Sequence, residues 1–161
     1  MENTDIFEIF RTNANPEKAI SMKSYMRNQF EFLGIPTPER RKISKEYLKN
    51  KDKDVFDWKF VFECWDQPER EFQYLAIDYL SKYSRLLSDK DIVNLTKITV
   101  QKSWWDTIDG LDRIFGDVAL RYPETKKILL KYSLDENFWI RRIAIDHQLG
   151  LKDMTDTELL S

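Results

Sequence analysis

The chain has 161 residues and a net charge of −2, with 42% hydrophobic and 34% charged residues, a balance that fits one folded domain and excludes global disorder. Four Gly and five Pro are too few for the many turns of an all-β sandwich. One Cys (Cys64) and one His (His147) exclude an internal disulfide and any zinc site built on several such ligands. Helical periodicity dominates, and no stretch alternates. Asn15-Pro16-Glu17 reads as a cap, a proline at the first helical position and an acid in the first turn, predicting a helix to about Leu33 that stops at Gly34. Thr37-Pro38-Glu39-Arg40 repeats that start with Thr37 as cap, and Ile43, Tyr47 and Leu48 share one face. The segment Trp65-Asp66-Gln67-Pro68-Glu69-Arg70 does so a third time, ahead of an apolar stripe of Phe72, Leu75, Ala76, Tyr79 and Leu80. Ser88-Asp89 caps a helix carrying Ile92, Leu95 and Ile98. Ser103-Trp104-Trp105-Asp106 has the spacing of a capping box, with Asp in place of Glu or Gln, and opens a helix through Ile108, Leu111 and Phe115. Pro123 opens another, and Asn137 caps the last clear one, Phe138 to about Leu149, closed by Gly150.

Starts near Pro38, Pro68, Ser103 and Asn137 lie 30, 35 and 34 residues apart. Helix pairs at a near-constant period predict an all-α fold of the α-solenoid kind, an α-α superhelix, with a globular helical bundle as the alternative. Residues 18–53 hold ten Lys/Arg against four acids, a surplus of +6 on an otherwise acidic chain. Such a segment could face a polyanion, although a solvated helical surface explains the charge equally simply. No apolar run approaches the ~20 residues of a membrane span, and the polar start Met1-Glu2-Asn3-Thr4 is not a signal peptide. A cytoplasmic protein with no membrane partner is expected.

If Ser103 is a cap, Trp105 and Asp109 sit at i and i+4 and share a helix face, with Asp106 and Asp112 extending the acidic trend. A carboxylate beside an indole face suits a cationic ligand, because the π face and the carboxylate both attract positive charge. The plainer alternative is favoured on spacing alone: Trp104 packs in the core and the aspartates are solvated or complement the helix N-terminus. Arg141-Arg142, after Trp139, could donate to a phosphate or pair with an acid of the preceding repeat. Tyr25 alone reads as a core tyrosine, Cys64 as a buried small hydrophobe and His147 as a core or surface histidine. Gly-rich phosphate loops, dinucleotide fingerprints and serine-nucleophile motifs are absent.

Several segments in order carry a family resemblance. They are Asn15-Pro16-Glu17-Lys18-Ala19, Ser24-Tyr25-Met26-Arg27-Asn28-Gln29-Phe30, Phe32-Leu33-Gly34-Ile35-Pro36-Thr37-Pro38-Glu39-Arg40-Arg41 and Trp65-Asp66-Gln67-Pro68-Glu69-Arg70-Glu71-Phe72-Gln73. Lys102-Ser103-Trp104-Trp105-Asp106-Thr107-Ile108-Asp109 and Phe138-Trp139-Ile140-Arg141-Arg142-Ile143-Ala144 follow. From about residue 5 to residue 160 the chain resembles the DNA alkylation repair enzymes of the AlkD type, the HEAT-like-repeat DNA glycosylases. The resemblance implies a curved stack of HEAT-like helix pairs that holds duplex DNA with alkylated bases and excises cationic N3- and N7-alkylated purines, with no metal or other cofactor. It implies Asp109 as the catalytic aspartate, stabilising charge on the deoxyribose and positioning water, and Trp105 as the aromatic against the lesion nucleotide. Arg142 and Tyr25 would contact the lesion-region backbone and line the cleft, and Thr37, Arg41 and Lys102 complete the expected DNA-binding set.

The family's chain continues for further helix pairs. Residues 1–161 are therefore expected to form a single HEAT-like-repeat domain short of the C-terminal pairs. Ile140, Ile143, Ala144 and Leu149 would then lack a cover, because Leu151, Met154, Leu159 and Leu160 are too few to supply one, and that face is an expected oligomer contact. Two rival functions stay open on the residues: a DNA-structure binder without catalysis, and a helical-repeat protein-interaction scaffold.

Overall fold

A computed structural model describes residues 2–147. Among these residues the structure is helical, with one isolated parallel bridge between Glu31 and Glu69 and no strand. The helices are α1 (Asn3–Thr12), α2 (Pro16–Tyr25), α3 (Thr37–Lys49), α4 (Trp58–Asp66), α5 (Arg70–Lys82), α6 (Ile92–Thr99), α7 (Trp105–Arg121), α8 (Thr125–Tyr132) and α9 (Phe138–Asp146). The all-α class holds, and α3, α5, α7 and α9 start within two residues of Pro38, Pro68, Ser103 and Asn137. None of these helices is long and apolar enough to cross a membrane. The chain divides into two compact units after Tyr79.

The first unit is built around the stripe of α5. Phe72, Leu75, Ala76 and Tyr79 are fully buried with Phe10 of α1 and Phe60, Val61 and Cys64 of α4. Phe72 meets Phe7 edge-on at 5.0 Å and stacks on Phe10 at 5.5 Å, arrangements that add to the area these rings bury. Cys64 is the buried small hydrophobe expected, and burial pushes its thiol pKa up. Helices α1 and α4 had no counterpart in the sequence reading. Neither opens with proline; α4 is capped by Asp57, which accepts from the Phe60 N–H at 2.9 Å, and Asp5 of α1 accepts from the Glu2 N–H at 2.8 Å.

Helix α2 ends at Tyr25, not at about Leu33. Arg27 and Asn28 adopt left-handed backbone angles (φ 54° and 57°), and their N–H groups return to the carbonyls of Ser24 and Lys23 at 3.0 and 2.9 Å. That closes the last turn and turns the chain out of the helix. The following segment is held from outside. The buried Glu71 carboxylate accepts the N–H groups of Leu33, Gly34 and Ile35 at 2.9, 2.8 and 3.1 Å. The Arg70 N–H donates to the Glu31 carbonyl at 2.8 Å, and its guanidinium lies over the Phe30 ring at 3.7 Å. Gly34 has φ 90°, and a Cβ there would fall 2.0 Å from the Asn15 carbonyl oxygen, so only glycine fits this crossing. Thr37 is also not the cap of α3. Pro36 holds that position, Thr37 is the first helical residue, and its hydroxyl accepts from Arg40 Nη1 at 3.2 Å.

In the second unit α7 packs on α6, α8 and α9, around Leu95, Ile98, Ile108, Leu111 and Phe115. Ile140, Ile143 and Ala144, expected to lie uncovered, are buried, because α9 rests on α6, α7 and α8. The readings on Leu149, Gly150, Leu151, Met154, Leu159 and Leu160 fall outside the described residues.

Replacing Glu71 with Ala strips three buried N–H groups of their acceptor. It is expected to lower unfolding free energy by roughly 2–4 kcal/mol in urea titration. A loss below about 1 kcal/mol contradicts the clamp.

Candidate active site

Two helix N-termini of the second unit build the site. The capping box expected at Ser103 does not form: its hydroxyl donates to the Thr99 carbonyl at 2.5 Å, and the Asp106 carboxylate accepts from the adjacent Thr107 N–H at 2.9 Å. Trp104 takes the cap position without a side-chain bond, following Lys102 at φ 53°, and the helix begins at Trp105. The Ser103 hydroxyl thus serves the last carbonyl of the preceding helix, across the left-handed turn at Lys102. Trp105 and Asp109 nonetheless keep their i, i+4 relation. Trp105 remains 42% accessible, the Asp109 side chain is exposed, and Asp112 is buried.

Helix α9 supplies the opposite wall. Its cap is the one expected: Asn137 accepts from the N–H groups of Trp139 and Ile140 at 2.9 and 3.3 Å. Phe138, Arg142 and Asp146 then recur every four residues along one face. Close approach of the two helices depends on Gly116, where a Cβ would fall 2.0 Å from the carbonyl oxygen of His147. His147 is the core histidine of the two readings, buried with Nδ1 2.8 Å from the Ala144 carbonyl.

Arg142 joins the walls. Its Nη2 donates to Asp109 Oδ1 at 3.4 Å, and its guanidinium lies 4.2 Å from the centroid of the Trp105 ring. On the other side its Nε is 3.2 Å from Asp146 Oδ2, an ion pair whose N–H is not aligned as a hydrogen bond. The Trp105 ring meets Phe138 and Trp139 edge-on, at 5.8 and 5.0 Å. A pocket of about 260 Å³ opens beside them, lined by Phe138, Arg141, Arg142, Ile145 and Asp146. Two carboxylates, Asp109 and Asp146, thus flank one guanidinium. Burial, then the charge of Asp109 and that of Asp146, push the Asp112 pKa up to about 7. Among the described residues no group of three or more His, Cys, Asp or Glu is arranged to hold a metal ion.

A family profile described as DNA alkylation repair enzyme matches residues 6–161. The chain belongs to the DNA alkylation repair enzyme family. A solved structure described as a predicted DNA alkylation repair enzyme from Enterococcus faecalis is similar at a TM-score of 0.80 and 34% identity, over 91% of this chain and 70% of that one. The likeness agrees with the α-solenoid class expected from the helix spacing. No curated protein matches the chain.

For this member of the DNA alkylation repair family, the second unit brings together Trp105, Asp109 and Arg142, the residues singled out in the sequence. Lys102 is exposed at the turn before them. Tyr25, Thr37 and Arg41 belong to the first unit. Tyr25 is 87% exposed, which overturns its reading as a core tyrosine. The Arg41 side chain is largely exposed with Nε 3.8 Å from Asp78, while neighbouring Arg40 is buried on Asp78 at 3.1 Å. Lys18, Lys23 and Lys51 also face acids, whereas Arg27, Lys42, Lys45 and Lys49 are exposed. The sequence reading passed over Asp146 as a site residue, although its i+4 spacing from Arg142 was there to be seen, and noted Asp112 without its burial.

Asp112 makes stability depend on pH. Unfolded, an aspartate titrates near ~4; folded, Asp112 titrates near 7, so the folded state binds its proton more tightly and loses stability as pH rises from about 4 to 7. Asp112→Asn is therefore expected to be more stable than the parent at pH 8, by roughly 2 kcal/mol once solvent screening is allowed for, and to converge with it below about pH 4. Urea titrations at both pH values check this. An equal difference at both would contradict it.

Proposed function

We propose that this chain is a DNA glycosylase acting on duplex DNA that carries cationic N3- or N7-alkylated purines. The observation that carries the reading is the exposed Asp109 carboxylate on the same helix face as Trp105, with the Arg142 guanidinium against both. In the reaction the C1′–N bond breaks and its electron pair leaves with the purine, cancelling the purine's positive charge. Positive charge then develops on the deoxyribose, where a fixed carboxylate stabilises it without reorganisation. Asp109 fills that role and holds the water that adds to C1′; the water's proton is released to solvent. The leaving base is already cationic, so no strong general acid is needed.

Trp105 provides a flat, partly exposed ring for the lesion nucleotide, with Phe138 and Trp139 fixing it edge-on. Arg142 offers a guanidinium to the nearby phosphate. Tyr25, Thr37 and Arg41 of the first unit and Lys102 of the second are the further DNA-facing residues. The Thr37 hydroxyl accepts from Arg40, and its O–H can donate to a phosphate oxygen.

Asp109→Asn is expected to lower excision of methylated purine by ~100-fold or more, the size seen when a fixed electrostatic group is lost, with little change in DNA affinity. Equal excision by the variant and an active parent would sink the assignment. In a log–log salt titration, replacing Arg41 or Arg142 with Gln should each flatten the affinity slope by roughly one phosphate contact. Salt-independent affinity would instead point to a protein partner.

A further inference from the structure

The Trp105 face and the Asp109 carboxylate form a receptor for a cation, and in the free protein that receptor already holds one. The Arg142 guanidinium lies 4.2 Å from the ring centroid with Nη2 3.4 Å from Asp109 Oδ1. While it stays there it screens the carboxylate and covers the ring face, the two features the reaction needs. Arg142 must therefore leave Asp109 when a lesion nucleotide arrives, without being lost from the site.

Its second partner makes that exchange local. Asp146 lies one turn beyond Arg142 on α9, its side chain is mostly buried, and its Oδ2 is 3.2 Å from Arg142 Nε. Nε is the inner nitrogen of the fork and is itself buried, whereas Nη2 reaches out to an exposed carboxylate. With Asp146 paired in charge at Nε, rotation about the Cδ–Nε bond can swing the rigid guanidinium fork, and with it the Nη groups, from one acceptor to another while the stem stays fixed.

We propose that Asp146 is a positioning residue, the pivot on which Arg142 trades Asp109 for a DNA phosphate. The phosphate takes the Nη groups, Asp146 keeps Nε, and Asp109 is released to face the deoxyribose. This rests on the glycosylase reading above for its chemistry, but on DNA binding alone for its pivot. Without Asp146, Arg142 keeps only the Asp109 carboxylate and the Trp105 face, so it stays in the receptor.

The test measures duplex-DNA affinity against salt and single-turnover excision at saturating methylated duplex, with thermal melting to confirm folding. The parent is compared with Asp146→Asn, Asp146→Glu, Arg142→Gln and the Asp146→Asn/Arg142→Gln double variant. Asp146→Asn is expected to flatten the log–log salt slope by about one contact, as Arg142→Gln does, and to slow saturated excision about tenfold. The double variant should match Arg142→Gln alone, and Asp146→Glu should recover most of the slope. The sign is decisive, because removing a negative charge from near DNA by itself leaves the slope unchanged or steeper. An Asp146→Asn slope that is unchanged or steeper, or a slope that falls further in the double variant, overturns the pivot, even if the parent excises methylated base. If the slopes follow the expected order while no protein releases base, the pivot stands and the glycosylase reading fails. No salt-dependent binding of any duplex overturns both.

Discussion

The bare backbone at Gly116 sets the distance on which the rest of the site depends. With no side chain there, the carbonyl of His147 comes down onto α7 to a point where a Cβ would lie 2.0 Å away. Ile140, Ile143 and Ala144 are then buried against the neighbouring helices, and the opposite face of α9 turns Arg142 toward Trp105 and Asp109. A methyl group at Gly116 would have to push α9 away, because the atom it meets is backbone and cannot rotate aside. Charge pairs that span only 3.2 to 3.4 Å tolerate little of that movement.

Given that approach, charge decides what the cleft can hold. Asp109 and Asp112 stand one turn apart on α7, and Asp146 faces them from α9. Burial first, and then the charges of Asp109 and Asp146, make ionisation of Asp112 costly, so the buried member keeps its proton up to about pH 7. The exposed member remains the one available to a ligand. The aromatic wall adds a second attraction for a cation, because the face of the Trp105 ring draws positive charge as the carboxylate does.

The sequence spoke most clearly where a local rule applied. The starts of α3, α5, α7 and α9 follow proline and cap residues, and the α5 stripe is buried as its period requires. It was silent on α1 and α4, which are short and carry no proline signal. Helix α2 ends early because Arg27 and Asn28 take left-handed angles, a choice composition does not reveal, and because Glu71, 37 residues away from Gly34, supplies the acceptor that makes an extended segment tolerable. At Thr37 and Ser103 the hydroxyls bond to the Arg40 guanidinium and the Thr99 carbonyl instead of capping a helix, so cap spacing misled by one residue at each. Within the site, Trp105 and Asp109 were legible as an i, i+4 pair. Arg142 lies 33 residues from Asp109; the residues alone offered it an acid of the preceding repeat without saying which, and the fold supplies Asp109. The burial of Asp112 is a tertiary fact with no sequence signature.

Chemistry at Asp109 is the central claim, and the most direct measurement is chromatographic detection of free methylated purine after incubating the chain with duplex DNA containing N7-methylguanine. The account predicts first-order release of the free base from the methylated duplex and none from unmodified duplex. A chain that binds the methylated duplex yet releases no base above the spontaneous rate would contradict it.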